Sequence, residues 1–432
     1  MRFFLTLILT LFFALPARAG VEIKQVTSPG GITAWMVEEP SIPFVALEIR
    51  FQGGASLDAP GKRGATNLMM GLLEEGAGPL DSQGFARATE ALAAQFGYDV
   101  GDDSASISAR FLSENRDQAV DLLRLSLIEP QFNEVSLERV RGQVLAGIMS
   151  SENDPDDIAG RAFDAAAFGQ HPYGSALEGS IETVQGLTRD DIVAAHRGVM
   201  ARDRMFVSAV GDITKTELGV LLDRLLGDLP ETGAEMPGPA TLLLQGGTAV
   251  VEFDTPQSVA IFGQPGMDRD HEDFFAAYLL NTILGGGGFE SRLMEEVRVK
   301  RGLTYGVYSY LVPKDLAALY LGSVSSANDR IVEAVDVIKA EWARMAAQGV
   351  TEDELNKAKA LLTGAYPLRF DGNGAIARIM VGMQMQGLPI DYIATRNDRV
   401  MAVTLEEVNR VAGELLKPDA LHFVIVGKPD GV

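Results

Sequence analysis

Arg298 and Tyr305 stand seven positions apart in the segment Gly285 to Tyr310, GGGGFESRLMEEVRVKRGLTYGVYSY. A guanidinium and a phenol both donate hydrogen bonds. Brought to one point, they could hold a peptide carbonyl and stabilise the oxyanion that forms when water attacks it, an effect worth about 3 kcal/mol for one good donor. The run Gly285, Gly286, Gly287 and Gly288 would let a peptide backbone approach closely, or leave the segment mobile. It does not read as a phosphate cradle, because no G-x-x-x-x-G-K-[ST] pattern follows.

The elements that must place this pair follow from periodicity. Phe289, Leu293 and Val297 recur at i, i+4 and i+8, which predicts a helix over 289–300 with one buried stripe, ended by Gly302. Leu303, Tyr305 and Val307 then share one face of a strand. Arg298 falls in the last helical turn, where a second explanation is open: a cation that complements the helix C-terminus and pairs with Glu295 at i−3, beside an ordinary half-buried tyrosine.

The chain repeats itself. Thr188 leads through a helical stretch to the strand Met205-Phe-Val-Ser-Ala-Val-Gly211, and Thr404 leads through another to Leu421-His-Phe-Val-Ile-Val-Gly427, with 23 positions from threonine to glycine in each case. Residues 227–247 between the halves are rich in proline and glycine, as linkers are. In the first half, Ser28-Pro-Gly-Gly31 marks a hairpin, and Val45, Leu47, Ile49 and Phe51 alternate with Ala46, Glu48 and Arg50, predicting a strand with one buried face. The fold class expected is α+β: two tandem homologous units, 20–227 and 248–432, each a largely antiparallel sheet with helices packed on one face, joined by a linker over 228–247.

Arg2, the apolar run from Phe3 to Leu15, and Ala17-Arg18-Ala19 read as a secretory signal over residues 1–19. No cysteine is present, so an exported chain would have neither disulfides nor thiolate metal sites, and a bacterial periplasm fits. Removal of Arg2 and Arg18 takes the formal charge from −22 to −24, which argues against nucleic acid and anionic membrane surfaces as partners. No membrane span is expected after the signal is removed. The four histidines, His171, His196, His271 and His422, include no pair at helical ligand spacing.

Arg298-Val-Lys-Arg-Gly-Leu-Thr-Tyr305, with Asn153-Asp-Pro155, His171-Pro-Tyr-Gly174 and Val210-Gly-Asp212, resembles the pitrilysin and insulinase family of zinc peptidases, which includes the mitochondrial processing peptidase. The resemblance runs through both halves. It implies that Arg298 and Tyr305 orient substrate, and it also exposes a departure: the family's H-x-x-E-H zinc motif, aligned on Gly61-Lys-Arg-Gly64, falls on Asn67, Met70 and Gly71, with the third ligand near Gly147. A hydrolytic zinc needs three protein ligands and a nearby carboxylate, which these residues do not supply. The expectation is therefore a chain with no metal of its own: the non-metal subunit of a heterodimeric periplasmic zinc peptidase, with zinc in a homologous partner subunit and peptides as substrates. The alternative is a non-catalytic peptide-binding or scaffold protein derived from that family.

Overall fold

A computed structural model describes residues 22–431, and the expected signal segment lies outside the described residues. Strands β1 (Lys24–Thr27) and β2 (Thr33–Glu38) form the expected antiparallel hairpin. With β3 (Phe44–Gln52), β4 (Gln95–Val100), β5 (Ser104–Leu112) and β6 (Met205–Gly211) they build a six-stranded sheet in the order β1-β2-β6-β3-β5-β4. The second sheet holds β7 (Gly247–Glu252), β8 (Gln257–Pro265), β9 (Val307–Pro313), β10 (Ala318–Ala327) and β11 (His422–Gly427) in the order β9-β10-β8-β11-β7. Without β1 the two orders correspond strand for strand. Each sheet has one parallel pair, β2 with β6 and β7 with β11, among antiparallel neighbours.

The sequence repeat has a physical basis at both ends. Thr188 and Thr404 each form a capping box, with Asp191 and Glu407, that starts the helices Arg189–Val199 and Leu405–Leu415. Gly211 and Gly427 end the following strands at φ 139° and 150°, where an added Cβ would stand 2.2 Å from the Phe44 carbonyl or from Ser258 Oγ. Only glycine fits there.

Each unit's own helices cover one face of its sheet, and the opposite face is covered by a helix from the other unit. The Pro155–Phe168 helix of the first half lays Ala159, Phe163 and Ala167 on Val259, Val424 and Val426 of the second sheet. In return, the Asn373–Met385 helix lays Ala377, Met380 and Met383 on Trp35, Ala46 and Val210 of the first. Gln384 Nε2 fixes its height by donating to the Val207 carbonyl and Ser208 Oγ, both at 2.9 Å. Polar contacts join the halves at the rim: Lys314 pairs with Asp102 at 2.7 Å, and Gln52 Nε2 donates to Asp315 at 2.7 Å.

This exchange corrects the expectation for β3. Its second face, read from Ala46, Glu48 and Arg50 as open to water, lies under the Asn373–Met385 helix, and Glu48 is only 4% exposed. Burial pushes the Glu48 carboxyl up to about 7, against the opposing pull of Arg378, 3.7 Å away, and of Arg50. Folding therefore retains a proton on Glu48 that the unfolded chain releases above the ordinary carboxylate range, so this group's contribution to stability falls as pH rises towards 7. Glu48→Gln removes the penalty. Its stability relative to wild type, measured by urea unfolding, is expected to improve by about 1–3 kcal/mol between pH 5 and pH 8. Parallel pH profiles for the two proteins would rule out the ionisation of Glu48 as the cause.

Candidate functional site

The segment that carries Arg298 begins with the Phe274–Asn281 helix, whose last turn widens into a π-helical stretch, Thr282–Gly286. A short 3-10 turn, Gly288–Glu290, and a second π-helical stretch, Met294–Val299, follow. The single helix expected over 289–300 is thus broken, because Ser291 takes an extended backbone, φ −74° and ψ 151°, between the two stretches. Leu293 and Val297 are buried as expected, but Phe289 is 64% exposed and belongs to no buried stripe. Gly302, at φ +62°, ends the segment and its N–H bonds the Arg298 carbonyl at 2.9 Å. Widened turns of this kind occur mostly as single-turn insertions in helices, frequently at functional sites.

The link to the next strand is held by its own polar groups. Thr304 is buried, its Oγ1 donates to the Ser325 carbonyl at 2.6 Å and accepts from the Gly306 N–H at 3.1 Å. With Thr304 so engaged the backbone joins the ladder only at Val307, so β9 opens four residues later than the strand read from Leu303. Leu303 and Val307 point into the core, whereas Tyr305 sits in the link and is 85% exposed. The three do not share a strand face.

Arg298 and Tyr305 nevertheless meet. Arg298 Nη1 donates to the Tyr305 carbonyl at 2.7 Å, and its guanidinium lies over the Phe289 ring, 4.5 Å from the centroid. The expected pairing with Glu295 is not formed. Glu296 instead takes the neighbouring cations, Lys300 and Arg301, each at 2.7 Å, which hold its carboxyl below the usual range. Among the described residues no carboxylate lies within 4.0 Å of Arg298, and the Tyr305 hydroxyl has no hydrogen-bond partner. Four of the guanidinium's five N–H groups and the phenol O–H thus remain for an external acceptor.

The glycines before this pair have internal reasons. A Cβ on Gly285 would stand 2.4 Å from Ser309 Oγ and 2.7 Å from Ser309 N on β9, so the backbone that approaches it closely is the chain's own. Gly286 and Gly287 would meet Asn281 and Thr282 in the same way, at 2.6 Å each. Gly288 alone faces open space.

Sequence reading did not include Tyr308 and Tyr310. They are 49% and 42% exposed on β9, an edge strand paired only with β10 among the described residues. Their alternation with buried Val307 and Ser309 was available as a signal. Phe289 and Tyr305 thus flank Arg298 with exposed rings, and Tyr308 and Tyr310 follow along an unpaired strand edge. Such an edge takes up extended peptides by main-chain hydrogen bonding.

The positions aligned with the zinc motif are also brought together. Asn67, on the Ala65–Leu72 helix, and Gly147, on the Glu134–Ser151 helix, line one cavity of about 560 Å³. Met70 is buried in the core, and Gly71 is exposed, where an added Cβ would stand 3.1 Å from Val140. Among the described residues no group of three or more His, Cys, Asp or Glu side chains is placed to hold a metal ion. The cavity is acidic all the same: Asp156, Asp157 and Asp164 line it, and burial pushes the Asp164 carboxyl up to about 6.

Comparison with known proteins agrees with this geometry. Residues 34–180 match the model of the insulinase family, peptidase family M16, and residues 186–362 match that of the peptidase M16 inactive domain. The chain is 29% identical over 430 residues to a protein of Helicobacter pylori named a non-peptidase homolog, YmxG, covering 98% of each. It is 27% identical to an uncharacterized zinc protease of Streptomyces coelicolor, over 91% of this chain and 87% of that one. A crystal structure of a peptidase M16 inactive domain from Pseudomonas fluorescens superimposes with a TM-score of 0.88 at 29% identity, covering 94% of this chain and 98% of that one. A protease from Helicobacter pylori shares the fold, with a TM-score of 0.84 at 19% identity and coverage of 94% and 99%. With Asn67, Met70 and Gly71 where the zinc motif falls, the chain belongs to peptidase family M16 as one of its inactive members.

Proposed function

We propose that this chain is the non-metal subunit of a heterodimeric periplasmic zinc peptidase, in which Arg298 and Tyr305 serve a catalytic centre carried by a homologous partner. The observation that carries this reading is the pairing itself. A long link is folded so that Arg298 reaches the Tyr305 backbone, the Tyr305 phenol is left exposed, and the adjacent carboxylate is occupied by other cations.

In this role the peptide lies extended along the open edge of β9, its backbone held by strand hydrogen bonds and its side chains against Tyr308 and Tyr310. Arg298 and Tyr305 donate to the scissile carbonyl and, more strongly, to the oxyanion that develops from it. The zinc, in the partner, would supply the activated water. Gly288 leaves room for substrate beside the Phe289 ring.

A second reading draws support from the engagement of Arg298. Because its guanidinium already bonds the Tyr305 carbonyl and stacks on Phe289, it serves as a strut for a peptide-binding scaffold with no part in hydrolysis.

Kinetics separates the two. In the complex reconstituted with its zinc-bearing partner, Arg298→Ala or Tyr305→Phe is expected to lower kcat at least tenfold, about 1.4 kcal/mol or more, with assembly intact by gel filtration. Wild-type kcat in both variants would leave only the scaffold. Metal analysis provides a further check. The purified chain alone is expected to carry well below one zinc per molecule and to cleave no peptide, with activity appearing on mixing with the partner; stoichiometric zinc in the lone chain would defeat the subunit reading.

A further inference from the structure

A cavity of about 440 Å³ lies where the Asn373–Met385 helix, the Tyr392–Ala402 helix and the far end of β9 meet. Four arginines line it, Arg269, Arg369, Arg378 and Arg396, and no aspartate or glutamate does. In a chain with 59 acidic and 37 basic side chains, this is a local reversal of sign.

The arginines are also short of the partners that such a chain offers in abundance. Among the described residues no carboxylate stands within 4.0 Å of Arg269, Arg369 or Arg396, and Arg378 has only Glu48, at 3.7 Å. Arg396 is buried, with Nη1 donating to the Leu362 carbonyl at 2.8 Å and to Asn397 Oδ1 at 2.9 Å, and its guanidinium over the Tyr366 ring at 4.3 Å. Arg269 lies over the Phe274 ring at 4.2 Å and donates to the Tyr392 hydroxyl. Stacking holds a guanidinium by its face and leaves in-plane N–H edges to point at an acceptor. A buried, uncompensated cation is costly to fold, and a cavity of this size suits a small molecule.

We propose that this cavity is a binding site for a small oxyanionic group, a phosphate or a carboxylate. Bidentate donation from guanidinium forks is the geometry that such oxygens require. The ligand is small because the surrounding surface is acidic and repels an extended polyanion. Its charged group comes either from a free metabolite or from the carboxylate end of a peptide, since Leu311 and Pro313 at the end of β9 form part of the wall. The proposal does not depend on a catalytic role for Arg298 and Tyr305.

Calorimetric titration of the full chain with inorganic phosphate and with citrate, at ionic strength fixed by sodium chloride, tests it. Saturable binding is expected, reduced at least tenfold in the rim variants Arg369→Gln and Arg378→Gln and unchanged in Lys428→Gln, which lies outside the cavity. A measurement on the wild-type chain guards against misfolded variants: phosphate or citrate should protect Arg369 and Arg378 from phenylglyoxal, mapped by mass spectrometry. Absence of saturable binding, equal binding by the rim variants, or no protection overturns the proposal. Short peptides with free or amidated C-termini distinguish the sources: competition by the free acid alone assigns the site to a peptide end, and competition by neither assigns it to a free oxyanion.

Discussion

The structure depends on the exchange of one helix between its two halves. A strand such as β3, with Val45, Leu47 and Ile49 on one face and Ala46 and Glu48 on the other, needs cover on both sides, and its own unit supplies only one. The Asn373–Met385 helix supplies the other, and the Pro155–Phe168 helix returns the service to β8 and β11. Neither half can therefore bury its sheet alone. The halves are two homologous units in sequence and one packed body in space.

This exchange builds both cavities. The Pro155–Phe168 helix carries Asp156, Asp157 and Asp164 into the cavity beside Asn67 and Gly147, and so forms one wall of the space where a family metal centre would sit. The Asn373–Met385 helix brings Arg378 across to Glu48 and closes the arginine-lined cavity against the end of β9. The edge strand of the second sheet walls that cavity with Leu311 and Pro313, exposes Tyr308 and Tyr310, and follows directly on the Arg298–Tyr305 link. The positions of the zinc motif and the Arg298–Tyr305 pair thus sit on one framework. The framework is kept by packing, which does not require metal, so an inactive member can hold the fold of an active one.

The link itself shows how a site is made from small departures. Two π-helical stretches, a glycine with positive φ at 288 and another at 302, and a threonine that occupies its neighbours' hydrogen bonds together delay β9 and turn Tyr305 outward. Glu296 gathers Lys300 and Arg301, which leaves Arg298 for the backbone of Tyr305. Each of these is a local preference that runs against the regular helix and strand of its surroundings, a pattern expected where function constrains sequence.

Much was legible without coordinates. The 23-position spacing from capping threonine to terminal glycine, repeated in both halves, encodes a helix of fixed length followed by a strand that must stop where no side chain fits, and both copies do so. The absence of ligands at Asn67, Met70 and Gly71 is a matter of residue chemistry, which folding cannot change. Periodicity failed at Phe289, because extended Ser291 separates it from the helical stretch that buries Leu293 and Val297, and at Tyr305, because Thr304 holds it in the link before β9; a one-dimensional pattern records neither. It failed again at β3, where Ala46 and Glu48 look like a solvent face until a helix more than 320 positions away covers them. Local sequence determined the elements and the chemistry that was lost. Long-range packing alone decided which faces were buried, that Arg298 would reach Tyr305, and that four arginines scattered from 269 to 396 would line one cavity, since burial and convergence are properties of neighbours that the chain order does not hold.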